Sequence, residues 1–111
     1  MIELLTADTP NGKKISIMLE ELELEYKVTK INIYNNEQFK PEFKKISPFS
    51  KTPVIIDHEN ETIVFESGAI LIYLSEQNGR FYDKKQRTNI NQWLMGQVAY
   101  IGPMLGQHHQ F

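Results

Sequence analysis

Apolar and polar residues follow one another in patterns that predict short strands and amphipathic helices in a definite order. Ile2 to Thr6 has the composition of a strand and stops at a cluster of turn-forming residues, Asp8 to Gly12. The apolar residues that follow recur at helical spacing: Ile15, Met18, Leu19 and Leu22. Residues 26–33 then mix tyrosine, valine and isoleucine with polar residues, which favours a strand with one face in water.

The middle of the chain predicts a short helix and a β-hairpin. A polar loop, residues 34–38, leads into a helical piece, residues 39–46, whose apolar side chains fall on one side. Val54 to Ile56 has the pattern of a buried strand. Thr62 to Phe65 is its predicted hairpin partner across the polar turn Asp57 to Glu61.

A third helix is predicted directly after the hairpin. Ser67 stands where a helix N-cap belongs, ahead of an apolar set, and Gly79 is placed to end the helix. The order strand, helix, strand, helix, hairpin, helix predicts an α/β protein with a thioredoxin-like (βαβαββα) layer of sheet and helices. We expect this domain to span residues 1–79, followed by a linker at residues 80–83.

Residues 84–111 carry a different pattern, that of one long amphipathic helix. Its apolar stripe consists of Ile90, Trp93, Leu94, Val98 and Ile101. Pro103 removes one helical hydrogen bond, so the helix is predicted to kink or end near Ala99. One helix forms no core by itself. The stripe must therefore lie on the first domain, on a partner chain or on residues outside this chain.

Composition excludes several classes of function. The 111 residues contain no cysteine, which rules out disulfides, thiolate metal sites and chemistry on a thiol of the protein itself. A net charge of −2 gives no reason to expect nucleic-acid binding. The longest apolar run, Ala69 to Leu74, is far too short to span a membrane, and Glu3 interrupts any signal-peptide pattern at the N-terminus. A cytoplasmic protein with no membrane partner is therefore expected.

Residues around the hairpin are candidates for ligand binding. A proline that opens a strand marks an edge, a bulge or a cis bend, so backbone groups near Pro53 are predicted to be unpaired. They would face Glu66 and Ser67, which suit a small zwitterion, with an amine against Glu66 and a carboxylate against Ser67 and the helix amides. A plain hairpin followed by a capped helix explains the same residues.

A second candidate is the turn Thr9-Pro10-Asn11-Gly12, between a strand end and a helix N-terminus. Asn11 can donate two hydrogen bonds and Thr9 one, which suits a thiolate or an oxyanion, although neither side chain is a base near neutral pH. A turn that only caps the helix is the alternative. No metal site is predicted, because His58 has the setting of a solvated turn residue and adjacent His108 and His109 point about 100° apart on a helix.

Four short stretches form one combined pattern: Ser47-Pro48, Lys51-Thr52-Pro53-Val54, Phe65-Glu66-Ser67-Gly68-Ala69-Ile70 and Tyr73-Leu74. This pattern resembles the N-terminal part of glutathione transferases, which has a thioredoxin-like fold. Three further motifs are similar to the bacterial nu class: Thr9-Pro10-Asn11-Gly12-Lys13-Lys14, Gln38-Phe39 with Pro41-Glu42-Phe43, and Gly102-Pro103-Met104-Leu105-Gly106-Gln107. Members of that class are glutathione-dependent disulfide-bond oxidoreductases.

The resemblance implies a binding site for glutathione, reduced or oxidised, with no metal. It makes Pro53 a cis proline. It pairs the backbone of Thr52 with the cysteinyl part of the tripeptide, as a short antiparallel strand would. Glu66 and Ser67 would hold the γ-glutamyl end.

The same resemblance places Thr9 and Asn11 next to the glutathione sulfur, with Gln38 and Lys51 reaching other polar parts of the peptide. A thioredoxin-like protein without a thiol must take its sulfur from the ligand. Lowering the pKa of that thiol by one unit needs only about 1.4 kcal/mol of selective thiolate stabilisation. Hydrogen bonds to a charged group supply roughly 1.5–3 kcal/mol each, so neutral donors are sufficient in magnitude.

The resemblance also bears on assembly. Family members continue into a full helical domain, so residues 84–111 would be the first helix of an incomplete one, in a short form or a fragment. Phe49 stands four residues before Pro53, where several transferase classes place an aromatic side chain that inserts into the partner subunit of a homodimer. A local core cap is the alternative.

Three functions follow as hypotheses. The first is thiol–disulfide exchange, in which the thiolate of bound glutathione attacks a small disulfide while Asn11 and Thr9 stabilise the sulfur anion. The second is a conventional transferase that adds glutathione to an apolar electrophile. The third is a non-catalytic binding or dimerisation module, or a fragment that self-associates through its helical stripe.

Overall fold

The structure, a computed structural model, describes the backbone of residues 1–110 and the side chains of residues 1–106. A four-stranded sheet has the order β2-β1-β3-β4. Its strands are β1 (Ile2–Thr6), β2 (Tyr26–Lys30), β3 (Val54–Asp57) and β4 (Thr62–Phe65). Strand β1 runs parallel to β2 and antiparallel to β3, and β3 and β4 form the predicted hairpin.

Helices connect strands of the sheet, cover its two faces and follow its last strand. The α-helices of the described chain are α1 (Pro10–Glu21), α2 (Pro41–Lys44), α3 (Ser67–Asn78), α4 (Arg87–Gly96) and α5 (Gly102–Gln110). Short 3₁₀ helices occupy Ile33–Asn35, Glu37–Phe39 and Lys84–Gln86, and a π-helical turn, Gln97–Ile101, joins α4 to α5. The thioredoxin-like βαβαββα order predicted from the sequence is confirmed.

Two apolar cores lie on opposite faces of the sheet, because successive strand residues point to opposite sides. The larger one packs α1 and α3 against the sheet. Its buried members are Ile2, Leu4, Ile15, Leu19, Leu22, Ile55, Ile70 and Leu74. The smaller one joins α2 to the other face through Leu5, Phe43 and Val54.

The second strand ends earlier than predicted. It stops at Lys30 because the Asn32 side chain accepts hydrogen bonds from the backbone N–H groups of Tyr34 and Asn35, at 3.1 and 3.2 Å. Such a local turn competes with the extended chain. The helix predicted after this loop is also shorter, Pro41–Lys44, with proline at its first position.

The predicted N-cap of α3 is wrong by one residue. Glu66, not Ser67, occupies the cap position, with φ 74° and ψ 121°. The first helical hydrogen bond of α3 shows why, since the N–H of Ile70 donates to the carbonyl oxygen of Glu66 at 2.9 Å. Ser67 is therefore the first residue inside the helix.

The C-terminal helical segment is irregular at Ala99, as predicted, but it does not end there. Ala99 lies within the π-helical turn, where the N–H of Gly102 donates to the carbonyl oxygen of Gln97, five residues earlier. Pro103 follows this turn directly, and α5 continues through it.

Part of the apolar stripe of this segment lies on the first domain. A Cβ atom added to Gly68 would lie 3.5 Å from Val98 and 3.9 Å from Leu94, so both side chains pack on the start of α3. Trp93 belongs to the same predicted stripe and is 73 % exposed. Packing on residues 1–79, the first of the three predicted ways to bury the stripe, therefore covers only part of it.

Candidate functional site

One row of paired strand residues sets the position of the candidate site. Leu5 of β1 pairs with Val54 of β3, and Val54 pairs with Phe65 of β4. Because β1 is antiparallel to β3 and β3 to β4, the chain leaving Leu5, the chain entering Val54 and the chain leaving Phe65 all lie at the same edge of the sheet. We call this edge the ligand edge.

The chain leaving β1 turns directly into α1 at the ligand edge. Thr9 is the N-cap, and its hydroxyl oxygen accepts a hydrogen bond from the N–H of Gly12 at 3.2 Å. A Cβ atom on Gly12 would overlap the hydroxyl of Thr6 and lie 2.7 Å from the carbonyl oxygen of Ala7. Glycine therefore allows α1 to begin close against the end of β1.

Thr9 caps the helix without using its hydroxyl hydrogen in that bond, because the cap interaction uses the oxygen as acceptor. Asn11 is the second residue of α1 and is exposed. The capping role named as an alternative for this turn is thus present, and it is compatible with donation from Thr9 and Asn11 to a ligand.

The chain entering β3 contains a cis peptide bond between Thr52 and Pro53, as predicted. Pro53 is buried and Thr52 is half-buried, whereas Lys51 is exposed. The hydroxyl of Ser47, which is 1 % exposed, bonds to both backbone groups of Lys51. Ser47 belongs to the Ser-Pro pair of the family pattern, but its hydrogen bonds to Lys51 were not predicted from the sequence.

The chain leaving β4 presents Glu66 and Ser67 at the ligand edge. Glu66 is exposed, and its φ of 74° places a non-glycine residue in a sparsely populated region. Such a backbone costs on the order of 1–3 kcal/mol and is found most often at functional sites. Ser67 is 8 % exposed and begins α3, whose first-turn N–H groups attract negative charge.

Gln38 lies apart from these three segments in sequence, in the 3₁₀ helix Glu37–Phe39. The oxygen of its side-chain amide is buried and has no hydrogen-bond partner in the described part of the chain. A buried acceptor without a donor costs about 1–3 kcal/mol.

Phe49 lies in the loop held by Ser47 and is 65 % exposed. Its ring contacts that of Phe65 edge to face, with centroids 5.9 Å apart and an interplanar angle of 73°. The two aromatic side chains form a small exposed apolar surface beside the ligand edge. This exposure does not fit a side chain that caps the local core.

Two charged groups have contacts that the sequence did not reveal. The ammonium group of Lys14 lies 2.7 Å from the side-chain oxygen of Gln97, and burial lowers the pKa of Lys14. At the opposite edge of the sheet, His58 is not merely a solvated turn residue. Its Nε2 atom lies 2.8 Å from the Glu3 carboxylate, which also accepts a hydrogen bond from Thr29 at 2.7 Å.

Two clefts lie away from the ligand edge. One, of about 450 Å³, is formed at the C-terminal end of α3 and the linker, with Gly79, Phe81 and Tyr82 among its lining residues. The other, of about 290 Å³, lies at the far end of the strands, beside Ile2 and Asp57. Neither is lined by a predicted site residue, so neither cleft is the candidate site.

The described part of the chain contains no group of three or more histidine, aspartate or glutamate side chains placed to hold a metal ion. The side chains of His108 and His109 lie outside the described residues. No described helix is long and apolar enough to cross a membrane.

Similar proteins of known sequence or structure show to which family this chain belongs. The chain is 48 % identical over 118 residues to the disulfide-bond oxidoreductase YfcG of Escherichia coli, an alignment covering 100 % of this chain and 55 % of the relative. The crystal structure of a glutathione transferase from Pseudomonas putida, with one glutathione disulfide bound per subunit, superposes with a TM-score of 0.90 at 44 % identity, covering 96 % of this chain and 49 % of that one.

A glutathione transferase family member from Pseudomonas fluorescens, with two glutathione molecules bound, is equally similar. Its TM-score is 0.89 at 43 % identity, with 96 % of this chain and 49 % of that chain covered. The chain therefore spans about half the length of the relatives it matches. Residues 3–76 match the family model of the glutathione S-transferase N-terminal domain, and the chain belongs to the glutathione transferase family.

Proposed function

We propose that this chain binds glutathione at the ligand edge and uses the thiol of the bound peptide for thiol–disulfide exchange. The observation that carries the proposal is the strand pairing, which brings Thr9, Asn11, Thr52, Glu66 and Ser67 to one edge of a protein that has no thiol of its own. Two observations on relatives support the proposal. YfcG is a disulfide-bond oxidoreductase, and the two Pseudomonas structures contain bound glutathione disulfide or glutathione.

In this proposal, the backbone holds the centre of the peptide and side chains hold its ends. Thr52, two residues before the start of β3, pairs with the cysteinyl residue of glutathione as an added strand would. The carboxylate of Glu66 binds the γ-glutamyl amine, and the hydroxyl of Ser67 with the first N–H groups of α3 binds the γ-glutamyl carboxylate. The side-chain amide of Gln38 forms a hydrogen bond with a polar group of the peptide, and Lys51 supplies an exposed cation for its second carboxylate.

Thr9 and Asn11 then stabilise the sulfur as an anion. Each donates a hydrogen bond, and roughly 1.5–3 kcal/mol per bond exceeds the approximately 1.4 kcal/mol that one unit of thiol pKa requires. The thiolate attacks one sulfur of a small disulfide, a new S–S bond forms, and the other sulfur leaves as a thiolate. A second glutathione thiolate attacks this mixed disulfide, which yields glutathione disulfide and the second reduced thiol.

The proposal extends to assembly and location. Phe49, exposed and supported by Phe65, is the side chain that we assign to a contact with a second copy of the chain in a homodimer. Central aromatic side chains supply much of the binding energy of such interfaces. A cytoplasmic location suits the reaction, because glutathione keeps thiols reduced there.

Turnover measurements test the proposed reaction. The chain is expected to reduce a small mixed disulfide with glutathione faster than it couples glutathione to a chloronitroaromatic. Asn11→Ala should lower kcat/KM for the disulfide about 10- to 100-fold, the effect of one hydrogen bond to a charged group. Asn89→Ala, at an exposed position of α4, is the matched control and should leave it unchanged. Faster turnover of the chloronitroaromatic would favour the conventional transferase. Binding of glutathione without turnover of either substrate would favour the non-catalytic module.

A further inference from the structure

A hydrogen bond joins the first domain to the C-terminal helical segment near the ligand edge. The ammonium group of Lys14, on α1, donates to the side-chain oxygen of Gln97 at 2.7 Å. The two residues are 83 positions apart in sequence, so the bond exists only because the two parts of the chain pack together. Gln97 is the first residue of the π-helical turn.

The π-helical turn fixes the side chain of Gln97. A Cβ atom added to Gly102 would lie 2.9 Å from the side-chain amide nitrogen of Gln97 and 3.0 Å from the backbone carbonyl oxygen of Gln97. Gly102 therefore leaves the space in which this side chain folds back, and its N–H also donates to the carbonyl of Gln97. Single π turns of this kind inside α-helices occur frequently at functional sites.

Lys14 is a half-buried cation whose hydrogen-bond partner is neutral. The ion pairs of the described residues are Lys13 with Asp8, Lys40 with Glu37, and His58 with Glu3. Lys14 takes part in none of them, and its burial disfavours the charged form and lowers its pKa. A half-buried lysine whose hydrogen-bond partner is neutral is a candidate for binding an anion.

The helix geometry directs Lys14 toward the proposed position of the sulfur. Lys14 stands three residues after Asn11 in α1, and side chains at that spacing are neighbours, about 5–6 Å apart at Cβ. Helical side chains generally lean toward the N-terminus of their helix, and this direction favours a position of the Lys14 side chain over the turn that carries Asn11. Thr9 and Asn11 are neutral, so Lys14 adds the positive charge that they lack.

We propose that Lys14 provides the cation that stabilises the sulfur anion of bound glutathione, and that Gln97 is a positioning residue that holds the Lys14 ammonium group over the first turn of α1. This inference rests on the proposed function. Near Lys14, Asp8 and Lys13 pair with each other at 3.4 Å, and Glu66 stands at the start of α3. The other charged residues of α1, α3 and α4 are Glu20, Glu21, Glu76 and Arg87, and Lys51 lies in the chain entering β3. The π-helical turn itself carries no charged side chain.

Ultraviolet titration of the bound thiolate tests this role, and the absence of cysteine means that every thiolate signal comes from glutathione. S-methylglutathione, which has no thiol, supplies the baseline for tyrosine. Lys14→Met should raise the pKa of the bound thiol by about half a unit to one unit, a roughly three- to tenfold decrease in its acid dissociation constant. Gln97→Met should raise it less, and Lys14→Arg should restore most of the wild-type value. Lys13→Met, on an exposed and paired neighbour, should not change it.

Calorimetry with S-methylglutathione completes the test, because its affinity should stay within about twofold in all four variants if the fold and the peptide site are intact. Intact binding with an unshifted thiol pKa in Lys14→Met would overturn the role of Lys14 alone. An equal shift in Lys13→Met would also overturn it. No binding of either peptide by the wild-type chain would overturn the proposed function and this inference together.

Discussion

The hydroxyl group of Ser47 holds both backbone groups of Lys51, donating to its carbonyl oxygen at 2.7 Å and accepting from its N–H at 3.0 Å. These two bonds close a five-residue loop whose next residue, Thr52, is the proposed backbone partner of glutathione. The N–H of Ser50 also donates to the carbonyl of Ser47 at 2.9 Å. A single buried side chain thus fixes the approach of the chain to β3.

Removing that hydroxyl tests its importance for the loop. Ser47→Ala leaves the N–H and C=O of Lys51 without their partner, so we expect a loss of about 1–3 kcal/mol in the free energy of unfolding. Glutathione affinity should also fall, since Thr52 would no longer be held in place. Denaturant unfolding and calorimetry measure the two effects. Ser16→Ala removes a weak 3.4 Å helical bond to Gly12 and is the control, with little change expected.

The close approach of α1 to β1 predicts a different result for two glycine substitutions. Gly12→Ala brings a Cβ atom to 2.7 Å from the backbone oxygen of Ala7, so α1 must shift, at a cost of about 1–3 kcal/mol. Gly96→Ala meets nothing within 4 Å and should stabilise α4 by roughly 0.5–1 kcal/mol. Thermal unfolding of both variants distinguishes them. Equal effects of the two substitutions on stability would contradict the close packing of α1 against the end of β1.

The Glu3 carboxylate predicts a pH-dependent contribution to stability. Hydrogen bonds with Thr29 and His58 lower the pKa of Glu3 below its ordinary value of 4.5, and the bond with Thr29 makes the larger contribution. A carboxyl group whose pKa is lower in the folded state contributes its full stabilisation above pH 4.5, the ordinary pKa. This contribution is lost as the pH falls through the folded-state pKa.

Glu3→Gln should therefore lower the free energy of unfolding by about 1 kcal/mol near neutral pH. The difference from the wild type should shrink in acid. Denaturant unfolding across a pH series measures it, with Glu76→Gln, at an exposed position of α3, as the control. A difference that stays constant down to acid pH would show that the charge of Glu3 is not responsible.

Phe49 predicts the oligomeric state. Phe49→Ser removes an exposed aromatic side chain, so a homodimer that depends on it should dissociate at concentrations where the wild type remains paired. Sedimentation measures the change. Phe81→Ser, at a 51 % exposed linker position, is the control. An unchanged dimer in Phe49→Ser would exclude this side chain as the main contact.

Hydrophobic patterning predicted the order of elements because each strand and helix carries its own signal. The hairpin, the thioredoxin-like order and the irregularity at Ala99 all follow from local composition. The early end of β2 at Lys30 was missed because a single side chain, Asn32, forms a turn there. The cap of α3 at Glu66 was missed because glutamate rarely adopts a positive φ.

From the residues alone, candidate site residues could be proposed only where they lie close to one another in sequence, whereas Gln38 and Lys51 were added by the family resemblance. Glu66 and Ser67 are adjacent, and Thr9 and Asn11 share one turn, so each pair stood out as a motif. The bond between Lys14 and Gln97 joins residues 83 positions apart, and no periodicity in the chain indicates it. Contacts of this kind depend on how helices pack, which patterning does not specify.

Calorimetric titration of the wild type and of Glu66→Gln with reduced and oxidised glutathione tests the central claim most directly. Glu66→Gln keeps the shape of the side chain and removes its charge, and Glu61→Gln is the matched control, since Glu61 is also exposed and has a φ of 58°. The account predicts about 10- to 100-fold weaker binding of both peptides by Glu66→Gln, and wild-type affinity in Glu61→Gln. Equal affinity in the wild type and Glu66→Gln would contradict it.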